Sequence, residues 1–104
     1  MQEKITETTL QNQIRCALSD YGIVIRQNTG FFKTSDNRTV KCGITGLSDL
    51  LFIGRNGNVH FIEVKTTKGR ATPEQLNFIQ LMNSMGIKSG IARSVEEALS
   101  IING

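Results

Sequence analysis

One histidine and two cysteines in 104 residues leave little material for several common chemistries. A zinc site needs more ligands than Cys16, Cys42 and His60 can supply, and their spacing matches no zinc pattern. The two thiols are expected to be free, small and mostly buried. His60 sits in a strand-like run on the face opposite Glu63, with no partner for a Ser–His or Cys–His nucleophile system, so it is not expected to act as a general base. No apolar stretch approaches the ~20 residues of a membrane span. Met1-Gln2-Glu3-Lys4 has no apolar secretory region, and a cytoplasmic protein is expected. Linkers, repeats and low-complexity segments are also missing, so residues 1–104 read as one domain. The balance of 12 Lys and Arg against 9 Asp and Glu gives a net charge of +3. That mild excess permits nucleic-acid binding without demanding it.

What the chain does have is a set of charges in the wrong place for an ordinary core. Asp49 opens the apolar run Asp49-Leu50-Leu51-Phe52-Ile53, and Glu63 and Lys65 interrupt Val59-His60-Phe61-Ile62-Glu63-Val64-Lys65. Charges in such runs are costly unless paired or bound to a metal. On a solvated edge strand the same residues would form an ordinary lateral ion pair of little energetic weight.

The surrounding sequence supplies a scaffold. Glu7, Leu10, Ile14, Ala17, Leu18 and Tyr21 fall on one helical stripe, with Thr6 or Thr8 as cap and Gly22 just past the end. Glu7 tops that stripe, either as an acid favoured by the helix dipole or as a carboxylate facing the same polar centre as Asp49. Ile23–Arg26 reads as a short strand. Phe31-Phe32-Lys33 and Arg38–Cys42 flank a Ser35-Asp36-Asn37 turn as a basic hairpin or arm. After residue 65 comes a polar, basic loop. Thr72, Pro73 and Gln75 then form a capping box that opens a helix reaching about Met85, with Leu76, Phe78, Ile79, Leu81, Met82 and Met85 as its buried side. Ile87–Ala92 reads as a strand. Ser94 and Glu97 cap a short last helix whose apolar side is Ala98, Leu99, Ile101 and Ile102. The expected order is α-β-β-β-β-β-α-β-α.

One register decides whether the charges can meet. A two-residue turn at Asn56-Gly57 would place Asp49 and Glu63 on opposite faces of the sheet. A three-residue Arg55-Asn56-Gly57 loop, with Gly57 left-handed and a bulge, pairs Gly54 with Asn58 and sets Asp49 opposite Glu63. Lys65, two residues on, then shares their face. The bulged loop is the one expected. Magnesium takes oxygen ligands and keeps several waters. Asp49, Glu63 and the Val64 carbonyl are a plausible protein share for Mg²⁺ or Mn²⁺, with Lys65 placed to stabilise charge on a phosphate.

Gly46-Leu47-Ser48-Asp49-Leu50, then Glu63-Val64-Lys65, then Gln75 on the next helix resembles the PD-(D/E)XK nuclease pattern, and within it the VRR-NUC domain. The likeness spans nearly the whole chain, including the helix-borne Glu7 and the Arg26–Gly30 segment. It implies a small restriction-endonuclease-like α/β fold, a central mixed sheet flanked by helices. It implies that Asp49 and Glu63 are metal carboxylates, that Lys65 is the catalytic lysine, that Gln75 lines the site, and that Glu7 reaches the metal through water. The proline of the pattern is Ser48 here, at a position that shapes the loop and supplies no ligand. Stand-alone relatives of this size resemble phage or bacterial enzymes, which implies a homodimer acting on branched DNA such as a four-way (Holliday) junction. Phosphate contacts are expected from Lys68 and Arg70 first, then Arg26, Lys33, Arg38 and Lys41. Phe31 and Phe32 are expected in the core or a dimer interface. The rival readings are a non-catalytic DNA-binding module on the nuclease fold, and a flap- or RNA-directed nuclease.

Overall fold

The computed structural model describes residues 5–27, 30–42 and 44–103. The elements follow the expected order: α1 (Glu7–Leu18), β1 (Gly22–Arg26), β2 (Gly30–Lys33), β3 (Thr39–Cys42), β4 (Leu50–Gly54), β5 (Val59–Val64), α2 (Pro73–Ser84), β6 (Gly90–Ala92) and α3 (Val95–Asn103). Four strands form one sheet in the order β1-β4-β5-β6. The first two pairings are antiparallel, and β6 joins β5 in parallel after the α2 crossover. The hairpin β2–β3 is a separate two-stranded sheet, with Gly30 across from Cys42. Asn37 turns its tip at φ 66°, a left-handed conformation that Asn tolerates better than most residues.

Alternation along the strands divides the sheet into two faces. Leu50 and Phe52 of β4, Ile62 and Val64 of β5 and Ala92 of β6 pack with Leu10, Ile14 and Leu18 of α1 and Ala98 of α3 to form the core. The other face of β5 carries Phe61, whose ring meets Phe78 of α2 edge-on at 5.1 Å. Helices thus cover both faces of a mixed sheet.

The β4–β5 loop takes the bulged, three-residue form. Gly54 N donates to Asn58 O at 2.8 Å, Gly57 N donates to Gly54 O at 2.9 Å, and Gly57 has φ 85°. The register runs from Ile53 opposite Val59 to Leu50 opposite Ile62. One further step sets Asp49 across from Glu63.

Several expectations need correction. Helix α1 stops at Leu18, where Ser19 caps it and its hydroxyl donates to Cys16 O, so Tyr21 leaves the stripe and is exposed. Gly22 begins β1, where an added Cβ would strike the Ile53 carbonyl. Cys16 is exposed, not buried, because it lies on the outer side of α1. Along α2 only Phe78 and Ile79 are buried, while Leu76, Leu81 and Met85 are exposed. A helix crossing one strand buries a narrow stripe, whatever its composition. Strand β6 is three residues long because side chains replace its first ladder bonds. Asn83 brackets Ser89 through both amide atoms, and Ser89 Oγ accepts from Phe61 N. At α3, Ser94 Oγ accepts from Glu97 N, and Glu97 reaches back to Arg93 N, one residue before the cap.

Candidate metal and phosphodiester site

Asp49 lies just ahead of β4 and is tied on both sides. Its carbonyl accepts from Gln27 N at 2.8 Å, and its Oδ2 accepts from Val64 N at 2.9 Å. An extended residue points its N–H and C=O to the same edge, so the Val64 carbonyl also faces the Asp49 side. Glu63 is 1 % exposed, on the face set by the bulged loop. Glu7, in the first turn of α1, completes the group. One carboxylate oxygen from each of Glu7, Asp49 and Glu63 lies within 4.8 Å of the others.

Around Glu63 the contacts are specific. Lys65 Nζ stands 3.6 Å from its Oε2, and Gln75 Nε2 donates to the same oxygen at 3.2 Å. Gln75 Oε1 meanwhile accepts from Thr72 N, and Thr72 Oγ1 accepts from Gln75 N, completing the capping box. Gly46 brings the preceding loop onto this helix start. Its φ is 82°, and an added Cβ would overlap the Glu74 carbonyl oxygen. The loop that leads to Asp49 and the helix that carries Gln75 are therefore packed backbone to backbone.

Burial pushes the Glu63 carboxyl up to about 8 from its ordinary 4.5. The adjacent Asp49 carboxylate adds to the rise, Lys65 opposes it and Glu7 contributes a smaller increase. Glu63 Oε1 is buried with no hydrogen-bond partner among the described residues. An orphaned buried oxygen inside three clustered carboxylates lacks a positive partner on that side. The donors are all oxygens, as hard divalent cations require. The residues present fit a hard divalent cation.

The predicted phosphate contacts are less concentrated. Lys68 and Arg70 are exposed on the loop after Lys65. Lys33 and Arg38 are exposed on the β2–β3 arm, where Arg38 is paired with Asp36 at 2.9 Å. By alternation Arg26 belongs to the sheet face opposite Asp49 and Glu63, so the register does not bring it to the carboxylates. The side chains of Lys41, Phe31 and Phe32 lie outside the described residues. His60 is buried on the far face, its Nδ1 2.8 Å from Lys88 O.

Two residues near the site were missed from sequence. Gln27 continues the β1–β4 register opposite Asp49, so it shares the carboxylate face. Arg93 places Nη1 2.5 Å from Thr66 O and 2.7 Å from Gly69 O. The only local sign of it is an arginine just before the Ser94 cap, and nothing in a sequence pairs it with carbonyls more than twenty residues away.

A family model for the VRR-NUC domain matches residues 2–96. A solved structure described as a VRR_NUC domain superposes with a TM-score of 0.67 at 21% identity, covering 93% of this chain and 94% of that one. The comparison with curated proteins finds no match. Among the described residues no helix is long and apolar enough to cross a membrane.

Proposed function

The chain belongs to the VRR-NUC domain family, a nuclease family, and from that premise we propose a metal-dependent, structure-selective DNA endonuclease that resolves four-way junctions as a homodimer. The observation that carries the metal site is the trio Glu7, Asp49 and Glu63, with the orphaned Glu63 Oε1 inside it and Lys65 alongside. The reaction is hydrolysis of a phosphodiester. Water adds to phosphorus, the bond to one sugar oxygen breaks, and a phosphate monoester and a hydroxyl result.

Asp49 and Glu63 would hold the ion, with the Val64 carbonyl on the same edge and Glu7 at the exposed rim. When bound, Mg²⁺ or Mn²⁺ supplies Lewis acidity to a phosphate oxygen and lowers the pKa of an attached water. Lys65 places its ammonium where negative charge develops on the phosphoryl group. Gln75 fixes the Glu63 carboxylate through an amide whose other end is locked in the helix cap. Lys68 and Arg70 follow Lys65 directly and are suited to backbone phosphates, with Lys33 and Arg38 on the arm contributing further out. For the dimer, the support is an exposed apolar edge: Ile23 and Ile25 on β1 are 61% and 40% exposed. A two-fold pair of sites suits two strands of a junction.

The test is cleavage of a labelled four-way junction, a matching linear duplex and a flap, with Mg²⁺, with Mn²⁺ and with EDTA. Paired metal-dependent nicks on the junction, absent in Asp49→Ala, are expected. Flap cleavage would keep the chemistry and change the substrate. Tight binding with no cleavage of any of the three would leave a non-catalytic module.

A further inference from the structure

We infer that Arg93 is a positioning residue for Lys65: it clamps the turn that faces the lysine stem and limits where that stem can go. The inference rests on the nuclease reading above.

Lys65 is held at its backbone by Ala92, whose carbonyl accepts Lys65 N–H at 3.1 Å. Its long side chain needs a second restraint to keep the ammonium beside Glu63. That restraint comes from the turn Thr66–Gly69, closed by Gly69 N donating to Thr66 O at 3.1 Å. Gly69 faces the lysine: a Cβ added there would reach ordinary van der Waals contact, 3.5 Å, with both Lys65 Cβ and Cδ. The middle of the turn, Thr67 and Lys68, is exposed and contributes no side chain to the core.

Arg93 closes this gap. It directly follows Ala92, so the same strand end that holds the Lys65 backbone also presents the guanidinium. Nη1 donates to both ends of the turn, Thr66 O and Gly69 O. Among the described residues Arg93 forms no ion pair with a carboxylate. Its fixed, planar charge is directed at two carbonyls. A lysine can donate there without the fork, and a methionine fills the space without donating.

The experiment compares Arg93→Met and Arg93→Lys with the native chain. Single-turnover cleavage of DNA is measured at saturating Mg²⁺, DNA affinity by titration, and loop order by tryptic cutting at Lys68 and Arg70, mapped by mass. R93M is expected to lose tenfold or more in cleavage rate at saturating DNA, with affinity within threefold. Its cutting at Lys68 and Arg70 should accelerate tenfold or more while the rest of the chain stays protected. R93K should stand within threefold of native in both. Native cleavage by R93M, a loop that stays protected, or R93K as impaired as R93M overturns the inference. Should R93M not fold, Arg93→Gln replaces it under the same thresholds. Absence of cleavage by the native chain would instead overturn the nuclease reading, and this role with it. The tryptic pattern would still show whether the clamp exists.

Discussion

Gln75 and Glu63 are joined by a hydrogen bond of 3.2 Å from Nε2 to Oε2, and the same amide caps α2 through Thr72 N. One side chain thus starts a helix and orients a buried carboxylate. Because Oε1 is committed to the Thr72 N–H, Nε2 must face Glu63. Gln75→Ala removes both contacts and should cost about 1 kcal/mol from the cap alone. Gln75→Glu keeps an acceptor for Thr72 but sets a second carboxylate against Glu63. It should destabilise the metal-free protein more at pH 8 than at pH 5. Urea unfolding of both variants at the two pH values checks this.

The raised Glu63 pKa fixes the sign of a pH effect. Between about 4.5 and about 8 the folded chain holds a proton on Glu63 that the unfolded chain has released. Stability of the metal-free protein should therefore fall as pH rises through that window, with a limiting slope of about 1.4 kcal/mol per pH unit. Glu63→Gln should flatten the slope. Urea midpoints in EDTA from pH 5 to pH 8 measure it, and a midpoint that climbs with pH by the same amount in both proteins would refute the assignment.

Asp49 accepts the Val64 N–H as well as facing Glu63. Asp49→Ala should lose metal-dependent cleavage and also strand that amide, at a cost of about 1–3 kcal/mol. Asp49→Asn keeps an acceptor oxygen, so it should lose cleavage while melting closer to the native protein. Melting curves alongside the junction assay separate the two effects.

Gly46 and Gly57 share a left-handed backbone, at φ 82° and 85°, but only Gly46 is pressed against another backbone. Gly57→Ala should cost about 1–2 kcal/mol for the conformation alone. Gly46→Ala should cost more, because the Glu74 carbonyl lies in the way and the Gln75 helix start must shift. Equal unfolding free energies for the two variants would contradict the close packing.

Ser48 Oγ is buried and has no hydrogen-bond partner among the described residues. Removing an unsatisfied hydroxyl recovers its desolvation cost, so Ser48→Ala should raise stability by about 1 kcal/mol and leave cleavage intact. A loss of cleavage in a stably folded S48A would give the hydroxyl a role in the reaction.

Much of this molecule is determined by neighbours along the chain, and that part is legible in the sequence. Thr72, Pro73 and Gln75 specify a helix start because a cap is satisfied within four residues. Gly57 specifies a bulged loop because few other residues accept its φ, and that loop fixes which face Asp49 and Glu63 share. The order of elements and the E-x-K strand follow from the same short-range rules. Tertiary structure decided the rest. How much of α2 is buried depends on how many strands lie beneath it, so Leu76, Leu81 and Met85 stay exposed despite a helical pattern. Whether Glu7 reaches the carboxylates depends on where α1 crosses the sheet. The hold of Arg93 on Thr66 and Gly69 exists only because β6 runs parallel to β5 and delivers its end beside theirs. Periodicity and turn chemistry encode contacts within a few residues, whereas the convergence of Glu7, Asp49 and Glu63, like the reach of Arg93 to Thr66 and Gly69, is settled by packing, which no local pattern records.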